Sequence, residues 1–562
     1  MSAAYDTSVM NEANNQPPPL VDYNLWQHDP ALRAAVEREG GGWIEARAAA
    51  LGALLGTERL QWLAAQANRH TPELKTHDRY GNRIDAVEYH PAYHELMAVA
   101  FGNGLHSIAW KPNPGGARAE GGQLAEGGRH VARGALLYLW NQLENGVACP
   151  VTMSFAAVHM LRHDAALAAV WEPKLLADDY DPRPLPVAEK RAVTIGMAMT
   201  ERQGGSDLRA NQTAAVAANT HGAGWFALTG HKWFCSAPMS DGFFTLARTA
   251  PGLSCYFVPR SLADGSRNRF HLQRLKDKCG NRSNASGEVE YDRTLARRVG
   301  EEGRGIATLI EMAHLTRFDI VLASAGMMRA ALAQALHHAN FRSAFGRLLA
   351  EQPLMQNVLA DLALESEAAT LFAFRLARAF DAGLSDSATD TRERLLMRLM
   401  TPIAKYWLCK RMPAVVVEAM ECLGGNGYVE EAPLSRLYRE APLNGIWEGS
   451  GNVICLDVLR SFARAPEAKE ALLAEIRLGG TVIEPFAAAV ETALADAATL
   501  EVRARRVVEL MALALQASLM QRHASPEAAG AFVASRSGDW GRAFGTLPAS
   551  APLARILAQA AA

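Results

Sequence analysis

The feature that most constrains the fold is a change of hydrophobic period in the middle of the chain. Short segments rich in aromatic or β-branched residues occur there, separated by Gly, Pro, Asp and Asn, at 225–229, 243–248, 253–258 and 288–291. Such segments are typical of strands. On both sides Ala and Leu recur at three- and four-residue spacing, which is typical of helices. The sequence therefore predicts an α+β, mainly α protein with a small antiparallel β domain between two helical blocks.

The same pattern predicts five regions along the chain. They are an N-terminal arm over 1–40, a helical domain over 41–190, the β domain over 191–300, a helical bundle over 301–465 and a C-terminal helical extension over 466–562. Long helical patterns run through 320–341, 353–380 and 394–422, and neighbouring long helices with short loops indicate a bundle. The polar arm is either disordered or pinned on a neighbouring subunit.

Composition excludes several classes of partner. The chain of 562 residues has 57 Lys and Arg against 59 Asp and Glu, so its net charge of −2 gives no overall case for nucleic acid or a membrane surface. No apolar run of about 18 residues predicts a membrane span. The seven cysteines are scattered and never in C-x-x-C spacing, which predicts neither a disulfide framework nor a zinc site. We therefore expect a cytoplasmic protein. We also expect no metal site, because His90 and His94 lack the adjacent glutamate of a zinc-protease motif and are separated by Pro91.

A glycine-containing loop follows the strand-like run 192–198. Its sequence, MTERQGGSD over 199–207, offers the hydroxyls of Thr200 and Ser206, while Gly205 lets a ligand approach the backbone closely. Backbone N–H groups in such a loop can bind a diphosphate. The alternative is an ordinary strand and turn.

Four further motifs are weak when taken singly. In HKWFCS (231–236), Trp233 and Phe234 could pack on a planar ring or belong to a core. In RSAFG (342–346), Arg342 could bind a phosphate or be solvated. The glycines of LGGNGY (423–428) could simply cap a helix, and IWEGSGN (446–452) leads into the apolar run 453–459.

Taken together, the order and spacing of these motifs resemble the acyl-CoA dehydrogenase family over about 190–460. The resemblance implies a helical domain, a small β domain and a four-helix bundle. It also implies FAD as cofactor and an acyl-CoA thioester as substrate. The residues matched to FAD-binding positions are Met199, Thr200, Gly205, Ser206, Trp233, Phe234, Cys235, Ser236, Ile446, Trp447, Gly449, Ser450, Gly451 and Asn452.

The resemblance also assigns the chemistry. Glu448 matches the catalytic base, which removes an α-proton while hydride passes from the β-carbon to the flavin. Thr316 stands at the alternative base position and cannot serve, and Arg317 matches an arginine near the base. Arg342 and Phe345 match positions that reach the FAD of a neighbouring subunit, which implies a homo-oligomer such as a dimer of dimers.

Two departures mark one branch of that family. Arg460 is expected to intrude beside Glu448 and to lower its pKa, which would weaken the base. The extension is associated in this branch with double-stranded DNA and protection against alkylation. Its candidate phosphate contacts are Arg503, Arg505, Arg506, Arg536 and Arg542. The alternative for these arginines is a solvated helix face.

Three functions follow as hypotheses. The first is an FAD-containing protein of the alkylation response that binds DNA and has weak, isovaleryl-type acyl-CoA dehydrogenase activity. The second is a metabolic acyl-CoA dehydrogenase whose extension serves oligomerisation. The third is a protein that merely shields DNA, with FAD in a structural role.

Overall fold

The computed structural model describes residues 15–112, 127–384, 390–537, 544, 546–548 and 550–561. The N-terminal part contains helices α1 (Pro30–Arg38), α2 (Glu45–Leu55), α3 (Glu58–Arg69), α4 (Pro91–Gly102), α5 (Arg129–Trp140), α6 (Ala148–Leu161) and α7 (Ala165–Leu175). It also contains a hairpin, β1 (Glu73–His77) and β2 (Arg83–Glu88), that the helical pattern did not predict. Burial alternates along β1 without any apolar alternation in its sequence, ELKTH, so the usual strand signal is missing.

The β domain closes on itself. Its strands are β3 (Ile195–Ala198), β4 (Ala214–Ala217), β5 (Trp225–Ser236), β6 (Gly242–Thr249), β7 (Gly252–Pro259), β8 (Phe270–Leu275) and β9 (Ser286–Val299). Pairings run from β5 through β9, β7 and β6 to β3 and β4, which pair again with β5. Aromatic side chains such as Phe243, Tyr256 and Phe270 fill the interior. All four predicted strand segments lie in these strands, but the sheet is not purely antiparallel, because β3 and β4 each run parallel to β6.

The bundle is built from long helices, α8 (Gly305–Phe341), α9 (Pro353–Gly383), α10 (Thr391–Cys422) and α13 (Gly451–Arg464), with shorter α11 (Gly425–Tyr428) and α12 (Pro433–Glu440) between the last two. The short strands β10 (Ser343–Ala344) and β11 (Arg347–Leu348) form the turn after α8. A buried ion pair joins the N-terminal domain to the bundle, since Arg133 on α5 donates to both oxygens of Asp319 on α8 at 2.5 and 2.7 Å.

The extension forms helices α14 (Glu467–Arg477), α15 (Glu484–Ala495), α16 (Ala504–His523), α17 (Pro526–Arg536) and α18 (Leu553–Ala561). It packs on the bundle through a buried charge network. Glu475 on α14 accepts hydrogen bonds from Arg375 of α9 at 2.8 Å, from Arg392 of α10 at 3.0 Å and from Arg522 of α16 at 3.0 Å. The described extension is therefore part of the folded body.

The first described residues of the arm lie on their own chain. Asn15 donates to the Ser343 carbonyl at 2.8 Å, and His337 on α8 bonds the Pro18 carbonyl at 2.7 Å. Residues 1–14 and most of the glycine-rich segment 112–128 lie outside the described residues. Within the part that is described, no helix combines the length and the apolar character that a bilayer crossing requires. The α+β, mainly α fold class predicted from the sequence is confirmed.

Candidate active site

The loop after β3 is anchored by a buried carboxylate. Glu201 accepts hydrogen bonds from Lys232 Nζ at 2.7 Å, from Thr213 Oγ1 at 2.6 Å and from the Gln212 backbone at 2.7 Å. The charge of Lys232 and these hydrogen bonds outweigh burial and lower the pKa of Glu201 to about 2. Lys232 lies at the centre of β5, so this network joins the loop to the strand that carries the second motif.

The anchored loop leaves its glycine tip open. Gly205 and Ser206 are exposed, and Thr200 lies beside them. A Cβ on Gly205 would stand 3.2 Å from Thr200 Cγ2, closer than most Cβ contacts, so a side chain there would crowd Thr200. The loop thus presents backbone and two hydroxyls to any ligand above it.

The second motif lies directly beside this loop. The Trp233 backbone donates to the Thr200 carbonyl at 2.8 Å, and Met197 on β3 pairs with Ser236 on β5. Phe234 is 47 % exposed, a large apolar ring left open on the surface of the domain. The Trp233 ring lies under the Lys276 ammonium, which is 3.5 Å from the ring centroid. Cys235 corrects the sequence interpretation, because its side chain is buried inside the barrel and only its backbone is on this side.

The loop that carries Glu448 is held by two buried cations. Lys405 on α10 donates to the carbonyls of Trp447, at 2.9 Å, and of Gly449. Arg317 on α8 donates from Nε to the Glu448 carbonyl at 2.8 Å, and from Nη1 to Asp457 at 2.8 Å. Three consecutive carbonyls therefore face positive charge. Glu448 itself has a φ of +55°, a left-handed conformation that costs a non-glycine residue about 1–3 kcal/mol.

One oxygen of the Glu448 carboxyl group has no hydrogen-bond partner among the described residues. This atom, Oε2, is shielded from solvent, although the rest of the residue keeps some exposure. Burial raises the pKa of Glu448 above its ordinary value, while Arg317, a hydrogen bond from Thr316 and Lys405 oppose that rise. A carboxylate with a free lone pair and a raised pKa is suited to accept a proton.

One cavity brings the separate segments together. Met197, Ser236, Thr316, Trp447 and Glu448 all line it, so β3, β5, α8 and the loop before α13 meet at one place. The residues that line the cavity include several that were not found from the sequence, among them Asn141, Cys149 and Glu440. Cys149 and Asn141 come from the N-terminal domain, and Glu440 ends α12 with its carboxylate bound by the Asn281 backbone at 2.8 Å. Nothing in their local sequence marks them, since each lies outside any recognisable motif.

Arg342 and Phe345 lie far from this cavity. Arg342 follows Thr316 by 26 residues along α8 and its end, which corresponds to about 39 Å of helix. Arg342 Nη1 donates to the Asn15 carbonyl at 2.5 Å, and Phe345 is 98 % exposed. Neither residue can reach the cavity of its own chain.

Arg460 is not the cation that faces the base. It is exposed on α13, whereas the cations that act on the pKa of Glu448 are Arg317 and Lys405. Two other residues of the same helix have polar partners, since Asp457 accepts a hydrogen bond from Arg317 and Asn452 accepts one from Arg505 Nε at 2.7 Å. The expectation that Arg460 intrudes beside Glu448 is therefore corrected.

The five arginines predicted to contact phosphates fall into three groups. Arg505 and Arg506 are exposed on α16, while Arg503 just before it is partly buried and pairs with Asp496 at 3.1 Å. Arg536 is buried and pairs with Asp361 at 2.7 Å and Glu365 at 3.0 Å, so it is not on the surface. The prediction for Arg536 is therefore wrong. Arg542 lies outside the described residues.

Comparison with known proteins identifies the family. Residues 15–182 match the adaptive response protein AidB N-terminal domain, residues 196–294 the acyl-CoA dehydrogenase middle domain and residues 303–463 the acyl-CoA dehydrogenase C-terminal domain. The putative acyl-CoA dehydrogenase AidB of Escherichia coli is 48% identical over 79% of this chain and 79% of its own length. Acyl-CoA dehydrogenase family member 11 of Caenorhabditis elegans is 31% identical over 72% of this chain and 65% of its own.

Solved structures share the whole architecture. The C. elegans protein ACDH-11, solved in complex with C11-CoA, superposes with a TM-score of 0.81 at 26% identity and covers 92% of each chain. The apo form of Bd2924 superposes with a TM-score of 0.81 at 28% identity, over 90% of this chain and 99% of its own. Both similarities extend beyond 463 and so include part of the extension.

The residues present fit the FAD of this family. Gly205 and Ser206 leave open backbone for a diphosphate, Phe234 offers an exposed apolar ring, and Thr200 lies between them. Ser236 and Glu448 line one cavity, and Oε2 of Glu448 has no partner among the described residues. The chain therefore belongs to the acyl-CoA dehydrogenase family, with the N-terminal domain of its AidB members, and is an FAD-dependent oxidoreductase of that type.

Proposed function

We propose that this protein oxidises a short or branched acyl-CoA of the isovaleryl type at a low rate, and that it binds double-stranded DNA as an AidB-like protein of the alkylation response. The observation that carries the first half is the shielded Oε2 of Glu448, which has no partner among the described residues and lines the cavity where β3, β5 and α8 meet. FAD, when bound, supplies the acceptor for the hydride from the β-carbon.

Glu448 removes the α-proton of the thioester. Its Oε2 has no hydrogen-bond partner among the described residues, while Arg317 binds its backbone carbonyl. The raised pKa brings its basicity toward that required near neutral pH. Arg317 and Lys405 hold the pKa below the value that burial alone would give, so the base is weaker than an isolated buried carboxylate. A low rate follows from that opposition.

The cavity favours a short acyl chain. Its volume is about 60 Å³, and its lining includes Met153, Met197, Ile320 and Met327. At about 10–15 Å³ of such volume for each water molecule, it holds only four to six water-sized groups. A branched acyl chain of a few carbons fits this space, whereas a long straight chain would require the methionines to move.

A second cavity fits the charged end of coenzyme A. It has a volume of about 1000 Å³ and is lined by Arg209, Arg248, Arg304, Arg394, Arg398 and Arg464. His314 and Leu315 of α8 also line it, and the next residues along the helix, Thr316 and Arg317, face Glu448. An arginine-rich wall is suited to phosphate groups. The thioester could therefore lie at Glu448 with its nucleotide end toward these arginines.

DNA binding is proposed for the exposed face of α16. Arg505 and Arg506 are exposed there, with Arg506 paired to Glu509 at 3.0 Å, and the AidB branch that the chain resembles is associated with duplex DNA. Assembly into a dimer of dimers would repeat this face and increase the affinity through multivalency. Phe345, which is 98 % exposed beyond the end of α8, and Arg342 beside it would then reach the FAD of a neighbouring subunit. The alternative is a metabolic dehydrogenase in which the extension serves oligomerisation. The buried contacts of Glu475 lie within one chain and support only a contribution of the extension to the stability of the fold.

Substitution of the base tests the oxidation. Glu448→Gln keeps the shape of the side chain but removes the proton acceptor, so kcat with isovaleryl-CoA should fall by about 10²–10⁴. Turnover is measured with a panel of acyl-CoAs and an artificial electron acceptor. Glu73→Gln, an exposed glutamate of β1 in the N-terminal part, is the matched control and should leave kcat unchanged. Equal turnover of wild type and Glu448→Gln would refute the role of Glu448, and fast turnover of one long-chain substrate would favour the metabolic alternative.

Lys405→Met tests the role of the two buried cations, Arg317 and Lys405, that hold the loop carrying Glu448. It removes two hydrogen bonds to the loop and a positive charge near Glu448, so kcat should fall by about 10²-fold through misplacement of the base. Loss of the cation also raises the pKa of Glu448, so the acidic limb of the pH–rate profile should move to higher pH. Lys75→Met is the control, because Lys75 lies exposed on the β1–β2 hairpin and pairs only with Glu88 among the ion pairs of the described residues. An unchanged pH limb with unchanged FAD content would show that Lys405 does not act on the base.

The DNA proposal is tested without truncating the extension, since its removal would uncover Arg375 and other buried groups. Arg505→Ser/Arg506→Ser should weaken binding to duplex DNA and reduce the slope of log K against log salt by up to about 1.8, at about 0.9 for each phosphate contact. Because Arg505 also bonds Asn452, Arg506→Ser alone is measured as well, with FAD content recorded. Arg555→Ser, a surface arginine of the extension paired with Glu527, is the control. Identical affinity and slope for the double variant and wild type would exclude this face as the DNA site.

A further inference from the structure

Two histidines and a glutamate converge outside the active site. His159 lies in the last turn of α6, and His163 follows two residues after the end of that helix. Glu311 comes from the second turn of α8. The Nε2 atoms of His159 and His163 lie 3.0 and 2.8 Å from the same atom, Oε2 of Glu311. All three side chains keep about a third or more of their surface exposed, so the cluster is open to solvent ions.

We propose that His159, His163 and Glu311 form a binding site for a divalent transition-metal ion, with Zn²⁺ as the preferred ion. The three candidate ligand atoms all lie within 4.8 Å of one another. Zinc bonds of about 2.0–2.1 Å place tetrahedral ligand atoms about 3.3 Å apart. The Nε2–Oε2 distances of 3.0 and 2.8 Å are a few tenths of an ångström shorter than this, and the ligand atoms of the two imidazoles lie within 4.8 Å of each other. His159 and His163 are four residues apart, and the turn that follows α6 brings both imidazoles to the same carboxylate oxygen of Glu311.

The donor set determines the class of metal. Two imidazoles and one carboxylate suit Zn²⁺, Co²⁺ or Ni²⁺, whereas Mg²⁺ and Ca²⁺ prefer sites made of oxygen alone. Three protein ligands leave a fourth position open. His159 and Glu311 also line the arginine-rich cavity, so a bound metal would stand at its edge. The open position would take water or an anionic ligand such as a phosphate that the arginines attract.

This site is distinct from the histidines that the sequence drew attention to. His90 accepts the Ala92 backbone N–H at 3.2 Å at the start of α4, and His94 bonds the Tyr180 hydroxyl at 3.0 Å. The i, i+4 pair that converges on a third ligand is His159 with His163. It was not singled out because Glu311 lies far along the chain and belongs to another domain.

The test uses the full-length FAD-loaded protein, freed of metal with a chelator and titrated with Zn²⁺ alone by calorimetry. Wild type should bind one Zn²⁺ more tightly than His159→Asn, His163→Asn or Glu311→Gln, each of which should lose at least about tenfold in affinity. His221→Asn, an exposed histidine of the β domain, is the control and should bind as wild type does. Zn²⁺ should also raise the Tm of wild type and leave that of His159→Asn/His163→Asn unchanged.

Two results would overturn the proposal. One is equal Zn²⁺ stoichiometry and affinity in wild type and in the double histidine variant, which would assign the binding to other histidines or to the exposed thiol of Cys279. The other is the absence of binding below millimolar Zn²⁺, which would leave the cluster as a hydrogen-bonded contact between α6 and α8. The flavin absorption spectrum of each variant establishes that the fold is retained. None of these outcomes depends on acyl-CoA turnover or DNA binding.

Discussion

Two buried cations hold the loop on which the chemistry of this protein depends. Arg317 and Lys405 donate to the carbonyls of Trp447, Glu448 and Gly449, and hydrogen bonds to charged groups contribute about 1.5–3 kcal/mol each. Their sum exceeds the few kcal/mol of strain at the left-handed Glu448. The same cations oppose the effect of burial on the pKa of Glu448. The same two residues therefore hold Glu448 in place and lower its pKa. Charges that hold the loop more rigidly also make Glu448 a weaker base.

The extension contributes to the same body rather than standing apart from it. Glu475 gathers Arg375, Arg392 and Arg522 from three helices, and Arg536 is buried against Asp361 of α9. Removal of one member of such a network leaves a buried charge without its partner, which typically costs about 3–5 kcal/mol. At the other end of α16 from Arg522, Arg505 bonds Asn452 at the start of α13. The extension therefore reaches the segment that follows the base, and a ligand bound on its exposed face would lie close to that segment.

Much of the fold could be predicted from the sequence, because the spacing of apolar residues along the chain depends only on local sequence. The strands of the barrel and the long helices of the bundle follow directly from that spacing, whereas the meeting of Ser236 and Glu448 at one cavity was implied only by the resemblance to the family. The hairpin β1–β2 could not be predicted, because apolar and polar residues do not alternate along β1. Lys405, Cys149 and Glu440 could not be found, because their partners are distant in the chain and no motif marks them. The error at Arg536 arose because an arginine on a helix has the same sequence signature whether it is exposed or buried on acids of another helix. The error at Arg460 arose because its position beside the base came from the resemblance, whereas the residue is exposed on α13.

The central claim is that the unpartnered oxygen of Glu448 takes a proton from the α-carbon of a bound thioester. Exchange of that proton measures the step without hydride transfer. FAD-loaded protein with its flavin kept chemically reduced is incubated with isovaleryl-CoA in deuterium oxide, and deuterium at the α-carbon is followed by NMR. The account predicts steady incorporation by wild type and loss of incorporation in Glu448→Gln. Equal incorporation by both proteins, or none by wild type while isovaleryl-CoA is bound, would contradict it.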